Sequence, residues 1–156
     1  IGVGLVGSEM CIRDSNEMGL KCHVGGVIDI NLADHIDRKT LRFMGNSAAY
    51  GYISAIRAIE DAGLTDDMLK DINTGLVMGS GGLSGESFVE AIDIMRSRSV
   101  KRAGPYRVTQ IMASTVSACI ATPLGIKGVN YSIASACATS AHCIGHAREL
   151  LSLIHI

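Results

Sequence analysis

The chain has 156 residues, with 14 Lys and Arg against 15 Asp and Glu and a formal charge of −1. So even a balance leaves no electrostatic footprint for nucleic acid or an anionic membrane surface, and no apolar run is long enough to span a bilayer. The length suits one domain or a piece of a larger one.

The two ends are expected to be foreign to the native protein. Glu9-Met10-Cys11-Ile12-Arg13-Asp14 can be encoded by GAG ATG TGT ATA AGA GAC, and Leu151-Ser152-Leu153-Ile154-His155-Ile156 by CTG TCT CTT ATA CAC ATC. Read on opposite strands, these are the same DNA. The word resembles a transposase adapter used in sequencing libraries, and Leu5-Val6-Gly7-Ser8 fits the primer sequence that precedes it. Residues 1–15 and 151–156 are therefore set aside from fold reasoning, and Ile1 to Val6 is not read as a signal peptide, lacking a basic n-region and a long apolar core. Residues 16–150 carry 13 basic and 13 acidic side chains, a neutral balance.

Asn16 to Asn31 is punctuated by Gly19, Gly25 and Gly26 and reads as loop with short extended pieces. Cys22 and His23 stand in it as two metal-ligand types without a third nearby, so a surface loop is expected there and no metal site. Between Ile36 and Ala62, Leu41, Met44, Ala48, Tyr52, Ala55, Ile59 and Ala62 recur at three- and four-residue intervals. That spacing predicts one helix face, interrupted near Gly45 or Gly51, with Asp34 or Asp37 capping its start and Gly63 ending it. Arg38, Lys39, Arg42 and Arg57 lie on the other face.

Thr65-Asp66-Asp67 opens a short helix through Lys70, its carboxylates placed at the positive end. Thr74 to Met78 reads as a buried strand, and Gly79-Ser80-Gly81-Gly82-Leu83-Ser84-Gly85 as a glycine-rich loop. The loop has neither the Lys-Ser/Thr ending of a P-loop nor a dinucleotide fingerprint. Ser84 or Ser87 starts the next helix, with Phe88, Ile92 and Met95 on one side, and Arg96, Arg98, Lys101 and Arg102 form a basic run expected to be a solvated loop. Gly104-Pro105-Tyr106 breaks the chain; Val108 to Ala121 returns to helix, with Met112 as a core methionine, and Thr122-Pro123 ends it.

Val129 to Ile133 alternates apolar and polar like a strand, whereas Ala141, Ile144 and Arg148 follow at helical spacing. Cys137 sits at the reversal between them. A cysteine at a helix start meets unpaired backbone N–H groups and the positive end of the dipole, which favour the thiolate and can hold an oxyanion. This is the logic of a nucleophile elbow with sulfur in place of oxygen; the alternative is a small buried cysteine packed under a helix. Cys11 falls in the set-aside end, and Cys22, Cys119, Cys137 and Cys143 lack metal spacing, so a reduced, cytoplasmic compartment is the simple reading. His142 and His146 follow on the same helix and read as structural or surface residues.

The run Asn130-Tyr131-Ser132-Ile133-Ala134-Ser135-Ala136-Cys137-Ala138-Thr139-Ser140-Ala141-His142 resembles the active-site signature of β-ketoacyl-acyl-carrier-protein synthases. Upstream, Gly104-Pro105-Tyr106, Met112-Ala113-Ser114 and Val116-Ser117-Ala118-Cys119 look most like the type I enzyme, and the resemblance runs from about Met18 to Leu150. It implies an α/β chain with a partial thiolase-like fold, most of the first half of a layered αβαβα architecture. It further implies that Cys137 is the acyl-thioester nucleophile, with its own backbone N–H as one oxyanion donor. Gly82 would line the acyl pocket, and Met112 would line the partner's pocket across a homodimer. The implied partners are acyl carrier protein and malonyl and acyl thioesters, with no metal or other cofactor. Two histidines and a lysine needed for decarboxylation would come from a second half, so residues 16–150 alone are expected not to complete catalysis. A thiol acyltransferase or hydrolase using Cys137 with a histidine of this chain, and a non-catalytic partner subunit of a condensing heterodimer, are the alternatives.

Overall fold

The computed structural model describes Gly19, Lys21 and residues 28–154. The chain divides into units Ile1–Asn31 and Leu32–Ile156, and the fold set out below is that of the second. Most of the expected loop at 16–31, Cys22 and His23 included, lies outside the described residues.

After a 3₁₀ turn at Leu32–Asp34, the Asp37 carboxylate accepts from the N–H groups of Lys39 (2.8 Å) and Thr40 (3.1 Å) and starts α1, Arg38–Leu41. A break follows, and α2 runs from Asn46 to Ala62, ending where Gly63 adopts φ 63°, a conformation that favours a residue without Cβ. The Thr65 hydroxyl accepts from the Met68 N–H and caps α3, Asp66–Leu69. Then come β1 (Leu76–Gly79), α4 (Gly85–Ser97), α5 (Val100–Ala103), α6 (Arg107–Ile111), α7 (Thr115–Leu124) and β2 (Asn130–Ile133). A 3₁₀ turn at Ala136–Ala138 leads into α8, Thr139–Ile154.

The two strands are parallel, Leu76 opposite Asn130 and Gly79 opposite Ile133, as a connection through four helices permits. Successive strand side chains point to opposite faces, which assigns the layers. Ser132 Oγ lies within hydrogen-bond distance of Ser117 Oγ (2.8 Å) and Ser114 O (3.2 Å) on and beside α7, whereas Tyr131 meets His146 of α8 edge-on, 5.5 Å between ring centres. Helix α7 therefore covers one face of the sheet and α8 the other, with α2 packed outside α7. The core lies in the α2–α7 seam, where Ala48, Ala49, Ile53, Val116, Ile120 and Ala121 are buried, Ile120 completely. This is the expected α/β layering.

Several local expectations change. Strand β1 is half-buried throughout rather than buried. The helix expected over 108–121 is two: Met112 turns extended (φ −66°, ψ 132°), and Thr115 restarts the chain with its hydroxyl donating to Thr109 O at 2.5 Å. Side-chain hydroxyls offer the backbone an alternative to continuous helix, and Thr115 takes it. Met112 is thereby half-exposed, not core. Pro123 does not end α7, which runs on to Leu124; Gly125 at φ 67° ends it. On α4, Phe88 and Met95 are exposed and Ala91 is the buried residue, so the small side chain faces the protein. The expected basic loop contains α5, whose Lys101 and Arg102 remain exposed.

Candidate active site

Strand β2 stops at Ile133, and the reversal into α8 is made by five residues. Ser135 has φ −144° and ψ 41°, and Ala136 has φ 48°, the one positive φ at a non-glycine among the described residues. A left-handed alanine costs roughly 1–2 kcal/mol and persists only where its surroundings hold it. Thr139 supplies that hold. Its side chain is buried in a residue only 4 % exposed; Oγ1 accepts from the Ser135 N–H (2.8 Å) and donates to the Ala136 carbonyl (2.8 Å), which also accepts from the Thr139 N–H. The Ala138 N–H donates to Ser135 O at 3.0 Å and closes the turn.

The glycine-rich loop after β1 completes the corner from the other strand. A Cβ on Gly79 would collide with the Ile133 carbonyl and stand 2.7 Å from Thr139 Cγ2, so only glycine fits between β2 and the buried threonine. A Cβ on Gly81 would stand 3.1 Å from the Ala136 carbonyl oxygen, which makes Gly81 the loop residue drawn against the turn. Gly82, expected as a lining position, is exposed with nothing within 4 Å of the place its Cβ would take.

Cys137 is exposed and free, against the reading of a small buried cysteine; the cysteine buried under α8 is Cys143. Cys119 is half-buried in α7, where burial pushes its thiol up from its ordinary value and keeps it neutral. Of the three described cysteines, Cys137 alone combines exposure with a built turn. His142 lines a cavity of about 380 Å³ with Ile133, Ala141, Gly145, His146 and Glu149, and His146 Nδ1 lies 3.5 Å from Glu149 Oε2. Among the described residues, neither histidine shares a hydrogen bond with Cys137. Met112 sits in the α6–α7 link with its N–H bonded to Val108 O. No group of three or more metal-ligating side chains occurs among the described residues, and none of their helices is long and apolar enough to cross a membrane.

Sequence reasoning overlooked Thr139, Gly79 and Gly81. A signal for the first was present: a threonine two positions beyond the cysteine, at the start of a helix, where hydroxyls bind backbone groups.

A family model described as "Beta-ketoacyl synthase, N-terminal domain" matches residues 12–153. The chain is 58% identical over 138 residues to 3-oxoacyl-[acyl-carrier-protein] synthase 1 of Haemophilus influenzae, covering 88% of this chain and 34% of that protein. To the protein of the same name from Escherichia coli K12 it is 48% identical over 143 residues, covering 90% and 35%. The chain thus spans about a third of the length of these relatives. A β-ketoacyl synthase from Burkholderia phymatum superposes with a TM-score of 0.65 at 23% identity, covering 80% of this chain and 31% of that one. A type II PKS acyl-carrier protein in complex with its ketosynthase bound to the hexaketide gives 0.68 at 21% identity, covering 81% and 36%. At such identities these two superpositions speak for the fold.

Proposed function

Since this chain belongs to the family of β-ketoacyl synthase N-terminal domains, we propose that it is the nucleophile-bearing part of a type I condensing enzyme of fatty-acid biosynthesis. The observation that carries the proposal is an exposed Cys137 on a strained strand-to-helix turn held from behind by Thr139. The Cys137 thiolate attacks the carbonyl carbon of an acyl thioester delivered by acyl carrier protein. A tetrahedral oxyanion forms, the carbon–sulfur bond of the donor breaks, and the donor thiol leaves with the proton that Cys137 gave up. Malonyl-carrier protein then loses carbon dioxide, and the carbanion attacks the Cys137 thioester, extending the chain by two carbons and freeing the thiol. The Cys137 N–H is one donor to the oxyanion.

Residues 16–150 are the native part in this proposal, and the enzyme works as a cytoplasmic homodimer, with Gly82 and Met112 contributing to acyl pockets. Decarboxylation draws on two histidines and a lysine beyond this chain. The exposed cations Arg96, Arg98, Lys101 and Arg102 are suited to an acidic carrier protein. A cysteine hydrolase needs a base on Cys137, and neither histidine of α8 is bonded to it. A non-catalytic partner subunit needs no thiol at this corner.

The test is to incubate the chain with an acyl thioester and locate the adduct by mass spectrometry. A mass gain confined to Cys137 and absent in Cys137→Ala is expected, with no condensation product on adding a malonyl thioester. Acylation elsewhere, or thioester hydrolysis lost in both Cys137→Ala and His142→Ala, would overturn the assignment.

A further inference from the structure

Resting on Cys137 as the acyl acceptor, we infer that Thr139 is a positioning residue that aims the oxyanion-binding N–H of the corner. A trans peptide is planar, and its C=O and N–H point in opposite directions. The Ala136 carbonyl and the Cys137 N–H belong to one such plane. Thr139 holds that carbonyl from inside the protein through both Oγ1 (2.8 Å) and its own N–H. The N–H at the other side of the plane is thereby turned away from Thr139, outward to where the exposed Cys137 meets a substrate carbonyl.

The same hydroxyl accepts from the Ser135 N–H at 2.8 Å, so one oxygen bridges both sides of the left-handed Ala136. The methyl group has a separate duty. It packs against Gly79, where no Cβ fits, and fixes the side chain so that the hydroxyl points back into the turn. Hydroxyl and methyl can be separated by substitution: Thr139→Val keeps the shape and removes both side-chain hydrogen bonds, whereas Thr139→Ser keeps the hydroxyl.

Two reactions at Cys137 distinguish positioning from mere packing. Acylation by a small acyl thioester passes through an oxyanion, while alkylation by iodoacetamide displaces iodide at a saturated carbon and forms none. In the full chain, Thr139→Val is expected to slow Cys137 acylation by roughly tenfold or more. Alkylation of Cys137 is expected to change less than twofold, and Thr139→Ser to restore acylation. Buried Cys143 serves as the internal gauge of folding, remaining slow to alkylate in each variant.

Equal loss of acylation and alkylation in Thr139→Val, or no loss of either, overturns the positioning role while leaving Cys137 as acyl acceptor. If Thr139→Val exposes Cys143, Thr139→Ser decides: full acylation upholds the role, and a selective loss of acylation despite the retained hydroxyl overturns it. An unsubstituted chain that is alkylated but never acylated at Cys137 defeats the acyl-acceptor reading and this inference with it.

Discussion

Replacing Gly79 with alanine adds one methyl group where there is no room for it. The new Cβ would collide with the Ile133 carbonyl, come within 3.0 Å of the carbonyl carbon and within 2.7 Å of Thr139 Cγ2. Two of these three atoms are backbone of the paired strand, so no rotamer change relieves the contact and β1 must move away from β2. Overpacking of this kind costs about 1–3 kcal/mol, and a weakened ladder hydrogen bond adds about 1. A loss of about 2–4 kcal/mol follows, a large share of the ~5–15 kcal/mol that holds an ordinary domain together. With a urea slope of about 1.5 kcal/mol/M, the unfolding midpoint followed by circular dichroism should fall by roughly 1.3–2.7 M. Gly82→Ala is the control: nothing lies within 4 Å of its Cβ, and a change within about 0.5 kcal/mol is expected. A Gly79→Ala midpoint within about 0.3 M of the parent would refute the packing account, because the collision would then be relieved at no cost.

Three other outcomes can be checked. Ile120→Ala, at the fully buried centre of the α2–α7 seam, should cost about 3 kcal/mol in the same urea titration, with little change if the seam collapses around the gap. Hydrogen bonds from Arg107 hold the Glu90 carboxyl below its ordinary range, so that pair stabilises the fold above the unfolded carboxyl pKa and ceases to as pH falls through the lower folded value. The Glu90 side chain is 55 % exposed, so the contribution is under about 1 kcal/mol, and Glu90→Gln should lower the midpoint at pH 7 but not at pH 2. Site-resolved alkylation at pH 8 should label Cys137 before Cys119 and Cys119 before Cys143, following exposure and the raised thiol of Cys119; Cys119 leading would contradict the burial described.

What the sequence made legible was what neighbouring residues decide. Asp37 and Thr65 announce helix starts through side chains that reach only two or three positions along, and Gly63 announces a stop by its freedom to turn left-handed. The strand-to-helix reversal around Cys137 was legible for the same reason, since period two gives way to helical spacing within one stretch. The misplaced features depend on remote partners. The helix breaks at Met112, and just before it restarts the Ser114 carbonyl receives Ser132, from a strand formed later in the chain. The buried face of α4 is chosen by what packs on it, which no pattern of Phe88 and Met95 could announce. At the site, the cysteine was visible as a reactive residue type, but its supports were not: Gly79 is needed only because Ile133 and Thr139 come to lie against it.

The parallel pairing of β1 with β2 also governs the order in which the molecule can be assembled. Its partner residues are about fifty positions apart, and closing a flexible segment of that length costs about 3.5 kcal/mol in chain entropy before any contact repays it. Helices α4 to α7 lie within the segment and can form early from nearby residues, shortening the distance still to be closed. The turn at Ala136 has only part of such a local route: Thr139 holds it from three residues away, but Gly79 and Gly81 press on the corner only after both strands have met. A ribosome would have released β1 long before β2 emerged, so the strained corner is among the last features to form, and the cysteine takes up its aimed geometry only on a chain already folded around it.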